Sequence, residues 1–258
     1  MIEGNKEEKK YLPANLFEGM VSVRAVARSE NGRKILRVLF DRENVSKKRE
    51  EYALLRRLSE VKGFPIELTD RETIDRLTVG NSHGGVVAEC TDRVLPTLSE
   101  ADLPEKGFFF LLDGVEDPYN FGFCLRSLYA AGADGVILTP RNWMTAAGVV
   151  CRSSAGASEE MPLFVSEETQ AVEMAKQRGY TVWCAEMKDS ESIFEARFSR
   201  PLLIVIGGEK RGIKKEVLRM ADRRVRIDYA RPFSAALSAV SASTVIAFEA
   251  MRQMKENP

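Results

Sequence analysis

The chain has 258 residues, and its 38 Lys and Arg side chains balance 38 Asp and Glu side chains. A net charge of zero argues against a protein that holds nucleic acid by bulk charge, while a local basic face stays compatible with it. The length allows one large or two modest domains, and the hydrophobic share of 44% supports a real core.

The first third of the chain has a small α/β pattern. Residues 1–15 are predicted to be a flexible N-terminus, and residues 16–92 to form a first domain. Its predicted helices are Glu18–Ala27, Tyr52–Val61 and a helix capped by Asp70 that runs to Leu77. Its predicted strands are Ile35–Phe40, Pro65–Leu68 and Gly85–Glu89.

Residues 93–106 hold two prolines and several acids without a sustained period, which predicts a linker. Residues 107–258 alternate strands with helices, which predicts an α/β domain with a mainly parallel sheet. Its predicted strands are Phe108–Leu112, Val136–Leu138, Leu163–Val165, Tyr180–Ala185, Leu202–Ile206 and Val225–Ile227. Its predicted helices are Phe121–Ala131, Ala146–Ala155, Glu167–Arg178, Lys214–Met220 and Leu237–Met254.

The segment from Leu111 to Leu138 is the most informative. It reads as strand, turn, helix and strand, and it places Asn120 and Arg126 where the strand ends and the helix begins. Open α/β sheets bind ligands at the carboxyl ends of their strands. This segment is therefore a candidate ligand site.

A second segment, IGGEKRGI from Ile206 to Ile213, follows a strand that is predicted to be buried on both faces. Gly207 and Gly208 would allow the backbone to lie close to a ligand. Neither a phosphate-binding GxxxxGK[ST] loop nor GxGxxG is present, which weakens ATP and dinucleotide hypotheses. Taken alone, the segment also suits a plain glycine turn.

A third segment precedes and enters the closing helix, with Ala236, Leu237, Ser238, Ala239 and Val240 at its start. The apolar spacing of this helix suits a core helix or a dimer helix equally well.

In this order, the three segments resemble the signature motifs of the SpoU/TrmH branch of the SPOUT RNA methyltransferases. FEGMVSV (Phe17 to Val23) and NSHGGVVAE (Asn81 to Glu89) resemble the start and end of the substrate-binding domain of that family. The resemblance implies a C-terminal α/β domain with a deep trefoil knot, preceded by a small α/β RNA-binding domain like those of ribosomal proteins. It also implies a homodimer formed through the knot and the C-terminal helix.

The reaction implied by the resemblance is methyl transfer from S-adenosylmethionine to a ribose 2′-hydroxyl of RNA, without a metal. Ribosomal RNA is the favoured substrate, and transfer RNA is the alternative. The implied catalytic residues are Arg126, Asn120, Glu209 and Ser238. The implied cofactor-binding residues are Gly207, Gly208, Ile227 and Leu237.

Arg126 is expected to stabilise the nascent alkoxide and to grip a phosphate, because a guanidinium remains protonated and is a poor base. Asn120 would orient Arg126 or the backbone, and Glu209 would fix its loop and pair with Arg126. The family usually has asparagine where this chain has Ser238, and serine where it has Val240. The substitution at Ser238 leaves part of the usual hydrogen bonding without a replacement.

Four basic residues are candidates for RNA contacts: Arg33, Lys34, Lys210 and Arg211. Such contacts would bind phosphate and would not select a sequence. The alternative is a solvated basic face, which is the usual role of such runs.

Cysteine and histidine are sparse, with four cysteines, no CxxC pair and His83 as the single histidine. A structural zinc site and Ser–His or Cys–His catalysis are therefore poor hypotheses. We expect His83 to be a turn residue before a strand and the cysteines to be buried free thiols. The apolar runs are shorter than the roughly 20 residues of a spanning helix, and the N-terminus resembles no signal peptide. We therefore predict a cytoplasmic protein.

Two rival functions are also compatible with the sequence. One is a non-catalytic RNA-binding protein of the same fold, which the altered third segment suggests. The other is an α/β enzyme that acts on a small molecule with a nucleotide cofactor, although the missing phosphate-loop motifs count against it.

Overall fold

Two separate β-sheets organise the computed structural model of this chain, one in each of two units. The structure describes residues 15–78, 82–141, 143, 145–208 and 211–256. The first unit takes the described residues up to Arg93 together with Trp143–Arg152. The second unit begins at Val94, is interrupted by that segment and resumes at Ser153.

The regular elements follow the α/β alternation predicted from the sequence. The strands are β1 (Leu16–Glu18), β2 (Ile35–Asp41), β3 (Ile66–Thr69), β4 (Val86–Cys90), β5 (Phe108–Asp113), β6 (Gly135–Leu138), β7 (Leu163–Val165), β8 (Thr181–Ala185), β9 (Glu191–Ser192), β10 (Leu202–Gly207) and β11 (Arg223–Arg226). The helices are α1 (Gly19–Arg28), α2 (Asn44–Lys47), α3 (Arg49–Lys62), α4 (Arg71–Leu77), α5 (Pro118–Ala130), α6 (Ala147–Ser153), α7 (Ala157–Glu160), α8 (Glu168–Gln177), α9 (Lys215–Met220) and α10 (Ala239–Glu256). Within the described residues, none of these helices is both long enough and apolar enough to cross a bilayer.

The first unit is built on a four-stranded sheet in the order β1-β4-β2-β3. Strand β4 is antiparallel to both of its neighbours, whereas β2 and β3 are parallel. Its core includes Phe17, Val38 and Phe40. The predicted cap of α4 is confirmed, because the Asp70 side chain accepts a hydrogen bond from the Thr73 amide at 2.8 Å.

The second unit contains a seven-stranded sheet in the order β7-β6-β5-β10-β8-β11-β9, and each neighbouring pair is parallel. This confirms the prediction of an α/β fold with a mainly parallel sheet. The central strands β5 and β10 are buried along almost their whole length, as expected of strands that are covered on both faces. Their carboxyl ends lie side by side, with Gly207 opposite Asp113.

The segment predicted as a linker packs into the core of the second unit. Leu98 and Leu103 are buried there, and the Leu98 amide donates to the Val165 carbonyl at 2.9 Å. These two leucines hold the segment in place, and its irregular backbone leaves no sustained period in the sequence. The boundaries at residues 92 and 107 stay predictions.

Helix α6 supplies part of the first unit, although the sequence division placed residues 107–258 in one domain. Ala147 and Cys151 lie in the core of the first unit. Arg152 pairs with the buried carboxylate of Glu18. Gly148 allows close packing, because a Cβ atom there would lie 1.9 Å from the Leu16 carbonyl oxygen.

One local difference from the sequence prediction is at the start of α5, which begins at Pro118 and not at Phe121. The Asp117 side chain accepts hydrogen bonds from the Tyr119 and Asn120 amides, at 3.0 and 2.9 Å. Asp at the N-cap followed by Pro at the first helical position is a strong helix start. Asn120 is therefore in the first turn of α5 and not in a preceding loop.

Candidate cofactor site

A cavity of about 210 Å³ lies at the carboxyl ends of β8, β10 and β11. Strand β10 contributes Ile206 and Gly207, and α10 contributes Ala239, Ala242 and Ile246. The other lining residues are Ala185, Glu186, Met187, Gly208, Gly212, Ile213, Val225, Arg226, Ile227, Tyr229, Ala236 and Leu237. This is a mostly apolar cavity with a few polar groups, which is the usual character of a cofactor site.

The glycine segment forms one wall by folding tightly on itself. The Gly212 amide donates to the Gly208 carbonyl at 3.0 Å. A Cβ atom at Gly207 would lie 2.5 Å from the Gly212 carbonyl carbon. The loop itself therefore requires glycine at position 207, whether or not a ligand lies beside it.

The segment between β11 and α10 also lines the cavity, through Ile227, Tyr229, Ala236 and Leu237. The Leu237 amide donates to the Tyr229 hydroxyl at 3.1 Å. The Tyr229 ring meets the Phe233 ring at 5.9 Å in an edge-to-face arrangement. These contacts join the two ends of an exposed loop, residues 230–236, and they place Ile227 and Leu237 on the same cavity.

One corner of the cavity is polar. Arg226 donates from Nε to an Asp228 carboxylate oxygen at 2.9 Å and also donates to the Ser190 carbonyl. Ser192 donates to Asp228, and this bond together with the charge of Arg226 lowers the pKa of Asp228. The Arg226 guanidinium is therefore already paired.

The four residues predicted to bind the cofactor, Gly207, Gly208, Ile227 and Leu237, all line this one cavity. Their role as cofactor contacts stays a prediction. Glu209 and Lys210, which were predicted as a catalytic and an RNA-binding residue, lie outside the described residues.

Arg126 and Asn120 are both on α5, outside the set of residues that line the cavity. The Arg126 side chain is exposed, and it makes no hydrogen bond or ion pair with the described part of the chain. Side chains that are neighbours on a helix surface are three or four positions apart. Asn120 is six positions from Arg126 and so does not lie directly beside it.

Ser238, predicted as catalytic, is used as a helix cap. Its Oγ accepts a hydrogen bond from the Ser241 amide at 3.2 Å, and its carbonyl accepts from the Ala242 amide at 2.9 Å. This is the hydrogen bonding of an N-cap residue at the start of α10.

The predicted RNA contacts differ in exposure. Arg33 is only 4% exposed. Its guanidinium donates to the Thr91 carbonyl at 2.7 Å and lies 4.7 Å from the centre of the Phe17 ring. Arg33 is therefore a structural residue of the first unit, and its prediction as an RNA contact is corrected. Lys34 and Arg211 are exposed.

The sequence did not identify Asp113 and Glu168 as an acidic pair next to the glycine loop. Burial and the neighbouring Glu168 raise the pKa of Asp113, whereas Lys214 and Arg141 act against this rise. The Lys214 ammonium lies 2.9 Å from the buried Glu168 carboxylate. The position of Asp113 at a strand end was visible in the sequence, but its partners were not.

Comparison with known proteins identifies the family. Residues 107–248 match the model of the SpoU rRNA Methylase family, and residues 16–93 match a model described as RNA 2′-O ribose methyltransferase substrate binding. The chain belongs to the SpoU rRNA methylase family.

Curated relatives resemble this chain over most of their length. The 23S rRNA (guanosine-2′-O-)-methyltransferase RlmB of Shewanella oneidensis is 32% identical over 204 residues, which cover 75% of this chain and 80% of the relative. RlmB of Vibrio parahaemolyticus is 29% identical over 244 residues, which cover 91% and 95%.

Solved structures agree with this fold. A crystal structure of an RNA 2′-O ribose methyltransferase matches with a TM-score of 0.76 at 21% identity, over 92% of this chain and 88% of that chain. The SpoU methyltransferase AviRb of Streptomyces viridochromogenes, solved in complex with the cofactor AdoMet, matches with a TM-score of 0.73 at 23% identity, over 92% and 89%. At such identities the match is evidence for the fold alone.

Proposed function

We propose that this protein transfers the methyl group of S-adenosylmethionine to a ribose 2′-hydroxyl of ribosomal RNA. The observation that carries the proposal is the cavity that brings Gly207, Gly208, Ile227 and Leu237 together in a chain of the SpoU family. Curated relatives are named 23S rRNA methyltransferases, which supports ribosomal RNA over transfer RNA as the substrate.

The cavity residues fit an adenosyl group. Ile206, Leu237 and Ile246 offer an apolar wall suited to a purine. Gly207 and Gly208 also line the cavity, and a Cβ atom at either position would collide with neighbouring backbone, so glycine keeps this loop closely packed. When bound, S-adenosylmethionine supplies an electrophilic methyl group, and the chain must place the acceptor hydroxyl in line with it.

Arg126 would hold and stabilise the acceptor. Its exposed guanidinium keeps its donors available to a ribose oxygen or an adjacent phosphate. A guanidinium does not give up its proton at neutral pH, so its contribution is to stabilise negative charge that develops on the 2′-oxygen. The proton would leave to the neighbouring phosphate or to water.

The remaining predicted catalytic residues have supporting roles in this proposal. Asn120 would fix the first turn of α5, because it lies too far along the helix to orient Arg126 directly. Ser238 would position the start of α10 beside the cavity through its cap. Glu209 would fix the glycine loop, as the family resemblance implies.

The finer architecture implied by the family is also proposed. Residues 107–258 would form the trefoil knot, and residues 16–92 would bind RNA. Loops from separate parts of the second unit line one cavity, which supports the knotted arrangement. Lys34 and Arg211 are the exposed candidates for phosphate contacts.

We propose a homodimer that uses α5 and α10. The two helices are joined by a hydrogen bond of 2.8 Å between Thr244 and Ser127. Each helix exposes large apolar or aromatic side chains: Tyr119, Phe123 and Tyr129 on α5, Val245 and Phe248 on α10. A second copy of the chain would cover these side chains, whose exposure is otherwise unfavourable.

The proposed function is tested with Arg126→Ala. We expect methyl transfer to ribosomal RNA to be lost, while calorimetric affinity for S-adenosylmethionine stays within about twofold, since Arg126 does not line the cavity. Arg197→Ala is the matched control, because Arg197 is also exposed and lies outside α5. Full methylation by Arg126→Ala would overturn the assignment.

A non-catalytic RNA-binding protein is the second candidate, because Ser238 replaces the usual asparagine and its hydroxyl already serves as a cap. The same assay separates the two functions. Wild-type protein that binds RNA but transfers no methyl group to ribosomal RNA from cells lacking the gene would favour this second candidate.

A further inference from the structure

Glu186 lines the cavity, although the sequence did not identify it as a site residue. It follows β8 directly, so it lies at the carboxyl end of the strand between β10 and β11. Its backbone amide donates to the Val225 carbonyl at 3.0 Å, which fixes its position beside β11. Among the described residues that line the cavity, Glu186 is the single carboxylate.

The carboxylate of Glu186 is held in place by the backbone that follows it. Its Oε1 atom accepts hydrogen bonds from the Met187 amide at 2.8 Å and from the Lys188 amide at 3.3 Å. Within the described parts of the chain, its Oε2 atom takes part in no hydrogen bond or ion pair. One oxygen thus orients the group, and the other is available to a ligand in the cavity.

The charge balance of the polar corner decides which ligand group suits this oxygen. Arg226 is the guanidinium of the corner, and it already bonds Asp228 and the Ser190 carbonyl. Among the described residues that line the cavity, Arg226 is the single cation, so a ligand carboxylate placed here would meet Glu186 while that cation is already paired. A neutral group with two hydroxyl donors brings no charge and satisfies a carboxylate well.

We propose that Glu186 accepts hydrogen bonds from the ribose 2′- and 3′-hydroxyls of the adenosyl cofactor. This inference rests on the proposed function, because it assigns a contact inside the same cavity. Since the carboxylate is already oriented by two backbone amides, little rotamer entropy is lost when the diol binds. Glu186 then selects ribonucleoside ligands over their deoxy forms, while the apolar wall holds the purine.

Calorimetry with three ligands tests the assignment. S-adenosylhomocysteine carries both the diol and the amino-acid end, 5′-methylthioadenosine carries only the diol, and 5′-methylthio-2′,3′-dideoxyadenosine carries neither. For Glu186→Ala we expect affinity for the first two ligands to fall by about 10- to 100-fold, the range for hydrogen bonds to a charged group. The dideoxy ligand should bind both proteins equally.

Two further variants separate the diol contact from a structural role. Glu186→Gln keeps a carbonyl oxygen for the Met187 and Lys188 amides but replaces the second acceptor by a donor. It should fold with an unchanged melting temperature and still lose preference for the diol. Glu195→Ala removes an exposed carboxylate from the same segment outside the cavity, and it should leave all three affinities unchanged.

Each failure has a distinct signature. A loss for S-adenosylhomocysteine alone would assign Glu186 to the amino-acid end and overturn the diol contact. An equal loss for all three ligands would assign it a structural role and overturn the contact as well. If wild-type protein bound neither S-adenosylhomocysteine nor 5′-methylthioadenosine, the proposed function would itself fail, together with this inference.

Discussion

Gly208 lies directly against Gly114, where a Cβ atom added to Gly208 would lie 2.4 Å from the Gly114 carbonyl oxygen. The two glycines follow the neighbouring strands β10 and β5, whose last residues are Gly207 and Asp113. The loop that lines the cavity therefore touches the loop that leads into α5, the helix of Arg126. Small residues at both positions allow this backbone contact.

For Gly208→Ala we expect weaker cofactor binding and a loss of about 1–3 kcal/mol in the free energy of unfolding, because the added methyl group forces the two loops apart. Calorimetry with S-adenosylmethionine and urea denaturation measure the two effects. Gly148→Ala is the control, since its Cβ atom would collide with the Leu16 carbonyl oxygen in the first unit. It should lower stability without changing the affinity of the folded protein. Wild-type affinity in Gly208→Ala would contradict the role given to this contact.

Ser238 tests whether the altered third segment has a structural role. Ser238→Ala removes the cap of α10 and should lower the free energy of unfolding by about 1 kcal/mol. Ser238→Asn restores the residue that the family usually has and should retain most of the cap, because asparagine is also a favoured N-cap residue. Urea denaturation of both variants checks this, and equal stability of wild type and Ser238→Ala would show that the cap contributes nothing.

His83 makes the stability of the first unit depend on pH. The side chain is fully buried, and its Nδ1 accepts from the Gly85 amide at 3.1 Å. Its Nε2 lies 2.9 Å from an Asp75 carboxylate oxygen without a well-aligned hydrogen bond. Burial first and the charge of Arg71 second lower the pKa of His83, although Asp75 and Glu18 act in the opposite direction. These contacts agree with the prediction of a turn residue before a strand.

The lowered pKa fixes the sign of the effect. Below the ordinary histidine pKa of 6.5, His83 is protonated in the unfolded chain. In the folded protein it stays neutral until the pH reaches its lower, folded-state pKa. Stability is therefore complete above the ordinary pKa and declines as pH falls toward the folded pKa, by at most about 1.36 kcal/mol per pH unit. His83→Gln should lose less stability than wild type between about pH 7 and pH 5, the range in which an ordinary histidine titrates.

Tryptophan fluorescence isolates this measurement. Trp143 belongs to the first unit and Trp183 to the second, and the chain has two tryptophans. A Trp183→Phe background therefore reports the first unit alone during urea denaturation. If the pH profiles with and without His83→Gln ran parallel in this background, the effect would be refuted. Asp75→Asn should extend the decline in stability to lower pH, because the Asp75 carboxylate raises the pKa of folded His83.

Phe248 tests the proposed dimer face. Phe248→Glu places a charge in the apolar surface of α10, so we expect sedimentation velocity to show a monomer in place of a dimer. Phe194→Glu is the control, because Phe194 is 74% exposed and lies outside α5 and α10. A dimer that survives in Phe248→Glu would place the interface on another surface.

The sequence was sufficient for the order of the regular elements. Strand β7 has the predicted bounds, and β5 and β10 each extend one residue beyond them. These strands are continuous apolar runs between polar turns, so local pattern alone defines them. The elements that were not predicted, such as β9 and α7, are very short. Such short elements depend on their neighbours more than on their own residues.

The candidate site was predicted only where its residues lie in recognisable motifs. Gly207, Gly208, Ile227 and Leu237 were named from a family resemblance and line one cavity. Glu186 was missed because EMKDSE has no recognisable spacing, and its position depends on the pairing of β8 with β10 and β11. Arg33 was assigned to RNA from its charge, but its partners Thr91 and Phe17 are distant in sequence.

The sequence by itself thus determined the family, the α/β alternation and the glycine-rich segment, because each is written in contiguous residues. Only the tertiary structure decided that Gly208 packs on Gly114, that Arg33 is buried and that Glu186 faces the cavity. The physical reason is the same in each case. Contacts between residues far apart in the chain depend on strand order and register, which local composition does not encode.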